Sequence, residues 1–243
     1  RTLLRAALGR FHELGGTVID TAPMYRSSES VLGDLIADLG IRRDLFVATK
    51  TDKDGAADAT DAQMRESQRR LQTQTFDLMQ VHNLIGWQDA LPVLREWQQE
   101  GLVRYIGITT SHGRYHEELE TLLRNEPFDF VQLSYNIEDR RVEQRLLPLA
   151  AERGIAVLVN RPFQRGALFG KVKGQALPAW ASEIDCASWG QFFLKFIVSH
   201  PAVTCAIPAT TKVHHMEDNM TAGFGRLPDA AMRKRMGDFY AAL

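Results

Sequence analysis

Four polar side chains follow short apolar segments of the sequence, and their types together suit acid–base chemistry. Asp20 closes the segment TVID, Lys50 closes LFVATK and His82 closes DLMQVH, while Tyr25 follows shortly after Asp20. A nearby ammonium group favours a phenolate and lowers the pKa of a tyrosine. We therefore expect Asp20 to pair with Lys50, and Lys50 to lower the pKa of Tyr25.

Such a set of groups could protonate a carbonyl oxygen as negative charge develops on it. His82 would donate a hydrogen bond to the substrate oxygen or relay protons to Tyr25. This chemistry needs a hydride at the carbonyl carbon, and therefore a nicotinamide cofactor. Taken singly, Asp20 is a turn former, Lys50 a solvated strand end and Tyr25 a surface aromatic. Their joint occurrence at successive strand ends favours the chemical interpretation.

These residues meet only if the segments before them are neighbouring parallel strands. Strand-like and helix-like patterns alternate along the whole sequence, which indicates βαβ units. The seven strand-like segments are TVIDTA, LFVATK, FDLMQVH, RYIGIT, FDFVQLSYN, AVLVNRP and VTCAIPA.

The length of 243 residues is close to that of one (β/α)8 barrel, a fold of about 250 residues whose active sites lie at the carboxyl ends of the strands. We predict an α/β fold, a (β/α)8 TIM barrel, forming a single domain over residues 1–243, with the first strand absent from this chain. The alternative is an open doubly wound sheet. It is disfavoured because no strand–helix turn carries the G-x-G-x-x-G motif.

The helical patterns also predict individual boundaries. Thr60 and Asp61 are expected to cap a helix that runs to Leu71. Pro92 is expected in the first turn of the next helix. A helix is expected from Glu138 to Arg153, closed by Gly154.

The composition argues against several classes of partner. The formal net charge is −1, so a general affinity for nucleic acid or an anionic membrane is not expected. No apolar run reaches the roughly 18 residues of a membrane helix. Cys186 and Cys205 show no metal-ligand spacing. A disulfide between them is the alternative, but two buried or semi-buried free thiols are favoured. No signal peptide is visible, so we expect a cytoplasmic protein, or a periplasmic one if an export signal precedes Arg1.

The segments IDTAPMY, VATK and DLMQVHN resemble the motifs of the aldo-keto reductases. The resemblance continues through GDLIADLG, REWQQEGLVRYIGIT, FVQLSYN, RPFQRGAL and IPATTKVHHMEDN, in the order and at the spacing of that family. It implies reduction of an aldehyde or ketone, with Tyr25 as general acid, Lys50 and His82 as its tuning partners, and Asp20 holding Lys50. It also implies NADPH as cofactor, with NADH possible, and a small-molecule carbonyl substrate.

The resemblance implies three groups of cofactor contacts. The residues implied at the nicotinamide are Thr109, Thr110, Gln132 and Asn160. Those implied along the pyrophosphate are Arg161, Pro162, Phe163, Gln164, Arg165 and Gly166. Those implied at the adenosine and its 2′-phosphate are Thr210, Thr211, Lys212, Asp218 and Asn219.

Two of these positions depart from the family pattern. Thr110 stands where the family usually has an asparagine, and Asn160 where many members have a tyrosine that stacks on the nicotinamide. Elementary electrostatics supports the phosphate contacts independently, because Lys212, His214 and His215 lie near a predicted helix N-terminus, which favours a phosphate dianion.

Two other functions are compatible with parts of the pattern. A non-catalytic NADPH-binding module, serving as the redox-sensing part of a larger assembly, would need only the cofactor contacts and a partner surface. A metal-dependent hydrolase would use Asp20 and His82 as ligands, but no second histidine or carboxylate follows a matching strand, so no metal is predicted. The sequence specifies neither the oligomeric state nor the individual substrate.

Overall fold

Helices and strands alternate along the chain in the computed structural model, which describes residues 1–54 and 57–243. The α-helices of this part of the chain are α1 Thr2–Glu13, α2 Ser28–Leu39, α3 Ala57–Leu71, α4 Trp87–Gln99, α5 His116–Asn125, α6 Leu146–Arg153, α7 Ala167–Lys171, α8 Trp189–Val198, α9 Val213–Thr221 and α10 Ala230–Ala241. The strands are β1 Val18–Asp20, β2 Phe46–Thr51, β3 Phe76–Val81, β4 Val103–Thr109, β5 Phe130–Ser134, β6 Ala156–Asn160 and β7 Cys205–Ala206.

The strands are hydrogen-bonded in chain order, from β1 to β7. The pairings from β1 to β5 and between β6 and β7 are parallel. This arrangement confirms the parallel βαβ units that the alternating patterns predict. Among the described residues, no helix is both long enough and apolar enough to cross a membrane.

Residues 1–110 and 125–132 form one compact unit. Its strands are buried on both faces: Val47, Ala48, Leu78 and Met79 are almost inaccessible to solvent, as expected where helices cover a parallel sheet. Helices α2 and α3 approach closely at Gly33, where an added β-carbon would lie 2.3 Å from the backbone oxygen of Arg70. The unit therefore has its own apolar core and contains the strands β1 to β4 over their full length.

Residues 111–124 and 133–243 form a second compact unit. Its core is largely aromatic and is built around α8, whose Phe192, Phe193 and Phe196 are fully buried. Trp180 and Trp189 pack against Phe192, with ring centroids 5.9 and 5.1 Å away. Cys186 and Cys205 are free thiols, as expected from the sequence.

Two predicted helix boundaries were wrong because helices begin earlier than their sequence signals suggest. Helix α3 already includes Ala57, so Thr60 lies inside it and its side chain is buried rather than capping. Helix α4 begins after Gly86, whose left-handed backbone (φ 58°) precedes Trp87. Pro92 therefore lies in the interior of α4 rather than in its first turn. In the interior, the missing N–H of proline removes one helical hydrogen bond.

The helix predicted from Glu138 to Arg153 is also shorter than expected. The side-chain oxygen of Asn136 accepts hydrogen bonds from the backbone N–H groups of Glu138 and Asp139. These N–H groups are thereby used in a turn, which competes with helix formation. A short 3-10 helix follows at Arg141–Glu143, and the α-helix begins only at Leu146.

Candidate active site

The first two strands bring Asp20 and Lys50 into a buried ion pair. Asp20 is the last residue of β1, and Lys50 lies near the end of β2. The Lys50 Nζ atom is 2.6 Å from Asp20 Oδ2 and also donates to the backbone oxygen of Thr21 at 2.7 Å. The side chains are only 1% and 8% exposed, for lysine and aspartate respectively. The structure therefore contains the pairing that the sequence predicts.

Tyr25 lies in the turn between β1 and α2, beside this ion pair. The Lys50 Nζ atom is 5.4 Å from the centroid of the Tyr25 ring. Desolvation and the negative charge of Asp20 raise the pKa of Tyr25 to about 12. The sequence-based expectation of a lowered pKa was therefore wrong for this structure, because desolvation of the phenol and the Asp20 carboxylate both raise it. The phenol keeps its proton at neutral pH.

His82 follows β3 directly and lies against Tyr25. The two ring centroids are 6.1 Å apart, and the rings are nearly perpendicular at 88°. Burial, and then the charge of Lys50, lower the pKa of His82 to about 4. The ring is therefore neutral at physiological pH and has one N–H donor and one acceptor nitrogen. Its Nδ1 atom is buried and has no hydrogen-bond partner among the residues that the structure describes.

Two carboxamides complete the surroundings of Asp20, and the sequence pointed to only one of them. Gln80 donates from Nε2 to Asp20 Oδ1 at 3.0 Å, and Gln132 donates to the same oxygen at 2.9 Å. Gln132 also donates to Gln80 Oε1 at 3.3 Å. Gln80 was not predicted as a site residue, because its only signal is that it is a polar residue inside the apolar run DLMQV.

The nicotinamide contacts implied in the first unit lie next to these carboxamides. Thr109 ends β4 and pairs in register with Gln132 of β5. The Thr109 hydroxyl oxygen accepts from the backbone N–H of Asn83, the residue after His82, at 3.0 Å. The backbone N–H of Thr110 donates to the backbone oxygen of Gln132 at 2.9 Å. The structure thus brings Thr109, Thr110 and Gln132 together with the Asp20 network.

The contacts implied after β6 belong to the second unit. Asn160, at the end of β6, accepts a 2.6 Å hydrogen bond on Oδ1 from the Ser134 hydroxyl, so its carboxamide is anchored. Three non-glycine residues of the following loop have positive φ angles, namely Arg161 (53°), Gln164 (47°) and Arg165 (58°). Left-handed backbone at non-glycine residues is strained and clusters at ligand-binding loops.

The rest of this loop packs against the second unit. Pro162 is buried, and the Phe163 ring contacts Phe169 with centroids 5.0 Å apart. Gly166 precedes α7 with a φ of 93°. A cavity of about 520 Å³ lies beside the loop. It is lined by His112, Ser134, Asn136, Glu138, Asp139, Arg141, Arg161 and Gln164.

Like charges gather at this loop. Desolvation, and then the neighbouring Arg165 and Arg114, lower the pKa of Arg161. Desolvation and the same three arginines also lower the pKa of His112. Cations that repel one another are stabilised by an anion between them. The loop is therefore suited to bind a phosphate or carboxylate group.

The adenosine contacts implied near the end of the chain surround the start of α9. Lys212 precedes the helix and is exposed, and its backbone N–H donates to the Thr210 hydroxyl oxygen. Thr211 is exposed, and no side chain of the described residues caps the first turn of α9. The rings of His214 and His215 lie next to each other, with centroids 4.3 Å apart. This helix end can accept an anion.

Asp218 and Asn219 lie further along α9 and are partly buried. The Asp218 carboxylate accepts hydrogen bonds from the Ser188 hydroxyl at 2.7 Å and from Gln191 Nε2 at 2.8 Å. Ser188 caps α8. Asp218 therefore holds the start of α8 in this structure, which is a structural role in addition to the one that the resemblance implies.

Comparison with known proteins gives matches to one family of reductases. The model of the aldo/keto reductase family matches residues 2–235. The aldo-keto reductase YhdN of Bacillus subtilis is 33% identical over 183 residues, which is 70% of this chain and 53% of that protein. The chain thus spans about half the length of this relative. The methylglyoxal reductase YeaE of Escherichia coli is 28% identical over 221 residues, 88% of this chain and 76% of that protein.

The fold matches solved structures as well. An aldo-keto reductase from Klebsiella pneumoniae, crystallised in complex with NADPH, superposes with a TM-score of 0.81 at 24% identity. The match covers 98% of this chain and 85% of that one. Together with the strand order, it confirms the predicted α/β fold of the (β/α)8 barrel class.

Proposed function

The chain belongs to the aldo/keto reductase family, and on this premise we propose that it reduces an aldehyde or ketone to an alcohol with NADPH. The observation that carries the proposal is the buried Asp20–Lys50 ion pair beside Tyr25, with the neutral ring of His82 at its edge. These groups can donate a proton and stabilise the charge that its loss creates.

Tyr25 would act as the general acid. Its raised pKa of about 12 keeps the phenol protonated at neutral pH, so the proton leaves only when the carbonyl oxygen becomes strongly basic. The Lys50 ammonium would then stabilise the phenolate, because opposite charges attract strongly in a desolvated site. Asp20 would hold Lys50 in place. The products are an alcohol oxygen that carries the former phenol proton and a tyrosinate that is reprotonated from solvent.

His82 would donate a hydrogen bond to the substrate oxygen. A neutral imidazole suits this role because it polarises the carbonyl without adding a positive charge that would compete with Lys50. Burial and Lys50 both favour the neutral ring, as the pKa of about 4 indicates. His82 thus orients the carbonyl, and Tyr25 supplies the proton.

The chain also carries residues suited to NADPH, which when bound supplies the hydride. In the first unit, Thr109, Thr110 and Gln132 would hold the nicotinamide end. In the second unit, the crowded cations at Arg161 would bind phosphate, as would the uncapped start of α9 beside Lys212. NADH would lose the contribution of Lys212 because it lacks the 2′-phosphate.

A panel of aldehydes and ketones, with methylglyoxal among them, tests the proposal through the oxidation of NADPH. We expect turnover of at least one carbonyl by the wild-type protein. NADPH binding without turnover of any carbonyl would contradict the proposal and favour the non-catalytic NADPH-binding module.

The Tyr25→Phe variant tests the role of the acid. It removes the phenol proton and leaves the implied cofactor contacts in place, so we expect no measurable turnover and an NADPH Kd within about threefold of wild type. Fluorescence titration with NADPH checks the affinity. Retained turnover in this variant would show that another group supplies the proton.

A further inference from the structure

The two oxygens of the Asp20 carboxylate have different partners. Oδ2 accepts from Lys50 Nζ at 2.6 Å. Oδ1 accepts from Gln80 Nε2 at 3.0 Å and from Gln132 Nε2 at 2.9 Å. A carboxylate that accepts hydrogen bonds on both oxygens cannot rotate freely. The two carboxamides that donate to Oδ1 therefore help to fix the direction of Oδ2.

The sheet itself places Gln80 beside this carboxylate. Gln80 lies in register with Lys50 on β2 and with Gly107 on β4, so the three residues form a row across neighbouring strands. A β-carbon on Gly107 would lie 3.2 Å from Gln80 Cγ and 2.9 Å from the backbone oxygen of Phe130. The glycine therefore leaves the space that the Gln80 side chain occupies.

A buried carboxamide at this position is costly unless it is hydrogen-bonded. Gln80 is fully buried, and its strand neighbours Leu78, Met79 and Val81 are apolar and equally buried. An apolar side chain would fill the same space without that cost. The polar groups of Gln80 instead contact Asp20 and Gln132, which indicates that its function concerns the carboxylate.

We propose that Gln80 is a positioning residue of the reduction, which orients Asp20 so that Lys50 stays beside Tyr25. This inference rests on the proposed function. Gln132 cannot replace Gln80, because Gln132 is also an implied nicotinamide contact, whereas Gln80 has no such second task. Gln80 is thus the donor to Asp20 Oδ1 that is not shared with the implied cofactor contacts.

The Gln80→Met variant tests the proposal, because it keeps the size of the side chain and removes the donor. We expect kcat to fall about tenfold, as for the loss of one hydrogen bond to a charged group, and the NADPH Kd to stay within about threefold. Leu78→Met is the matched control, since it changes a buried residue of the same strand without removing a donor. We expect its kcat to match wild type.

The pKa of His82, measured by NMR of the imidazole ring, gives a readout that does not depend on turnover. The charged groups that act on His82 are Lys50, which lowers its pKa, and Asp52 and Asp20, which raise it. If Gln80→Met displaces Lys50, the pKa of His82 rises above its wild-type value of about 4. Leu78→Met should leave it unchanged.

Gln80→Glu provides a second variant, which also serves if Gln80→Met does not fold. A glutamate repels Asp20 when ionised but donates to it when protonated. We expect kcat relative to wild type to be low at neutral pH and to recover as the pH falls. A side chain that only fills the core would not produce such a recovery.

The outcomes separate the two proposals. If wild type reduces no carbonyl, the proposed function fails, and the His82 pKa still decides whether Gln80 positions Lys50. If wild type is active, Gln80→Met with wild-type kcat and an unchanged His82 pKa overturns the inference. An equal loss of kcat in Leu78→Met, or a Gln80→Glu variant without recovery at low pH, also overturns it.

Discussion

Tyr25 and His82 are both kept neutral by their surroundings, although one is an acid and the other a base. Desolvation is the first cause for each, raising the pKa of Tyr25 to about 12 and lowering that of His82 to about 4. Burial disfavours whichever form is charged, so it moves acids and bases in opposite directions. The charge in this site is concentrated on Asp20 and Lys50.

The pH dependence of reduction follows from these two pKa values. We expect kcat to stay level across the neutral range, because Tyr25 remains protonated and His82 unprotonated there. The rate should fall only as the pH drops toward about 4 or rises toward about 12. A pH–rate profile at saturating NADPH and substrate checks this. A step near 6.5, the ordinary pKa of histidine, would show that His82 is not desolvated.

His82 also links stability to pH. Its pKa is about 4 in the folded chain, compared with 6.5 for an unperturbed histidine, so between these values the unfolded state binds more protons. Stability therefore rises with pH through this window, and acidification from about 6.5 toward 4 removes the contribution of His82. We expect the Tm of His82→Asn to fall less over this range than that of wild type, by a few degrees.

Thermal melts at several pH values measure this difference. His200→Asn is a comparison, because burial also lowers the pKa of His200, which lies outside the proposed site. Parallel Tm curves for wild type and His82→Asn would contradict the assigned desolvation of His82.

The sequence predicted the placement of Asp20, Lys50 and His82 because each closes an apolar run, which is a local signal. Gln80 carries no such signal, since its partner Asp20 lies 60 residues away on another strand. The direction of the Tyr25 pKa was also missed, because desolvation depends on packing that spacing does not reveal. Local sequence patterns thus located the ionisable residues of the site, but not the hydrogen-bond network that positions them.

At the scale of elements, strand positions were more predictable than helix starts. Each strand lies within a short apolar run of the sequence, and parallel pairing follows from the alternation with helices. The start of α6 was mispredicted because the Asn136 side chain takes up the backbone N–H groups of Glu138 and Asp139. A turn that is closed by a side-chain hydrogen bond depends on the pairing of individual donors and acceptors. The periodicity of apolar residues does not reveal that pairing.

The start of α9 carries a prediction about the choice of cofactor. Lys212 is exposed beside an uncapped helix N-terminus, where a charge-assisted contact to a phosphate is favourable. We expect Lys212→Ala to raise the Kd for NADPH roughly tenfold, and to change that for NADH much less. Titrations with both cofactors check this, and Lys173→Ala, an exposed lysine outside the implied contacts, serves as control. Equal losses for both cofactors would show that Lys212 does not contact the 2′-phosphate.

For the whole molecule, cofactor binding should appear as increased stability. A ligand that binds only the folded chain stabilises it by about 2.7 kcal/mol at a hundredfold excess over Kd. For a chain of 243 residues, this corresponds to a rise in Tm of roughly 5–10 °C. Thermal melts with and without NADPH measure the shift. An unchanged Tm at saturating NADPH would contradict binding of the cofactor to the folded protein.

The hydrogen-bond network around Asp20 is assembled in a definite order during synthesis of the chain. Its members lie on β1, β2, β3 and β5, and Gln132 contacts Asp20 across 112 residues of sequence. During synthesis, Asp20 leaves the ribosome first, followed by Lys50, Gln80 and finally Gln132. Since chains fold largely from the N-terminus as they are made, β2, β3 and β5 in turn each add one partner to the same carboxylate. The hydrogen-bond network around Asp20 is therefore completed only when the fifth strand docks, before the sixth and seventh strands of the same sheet are added.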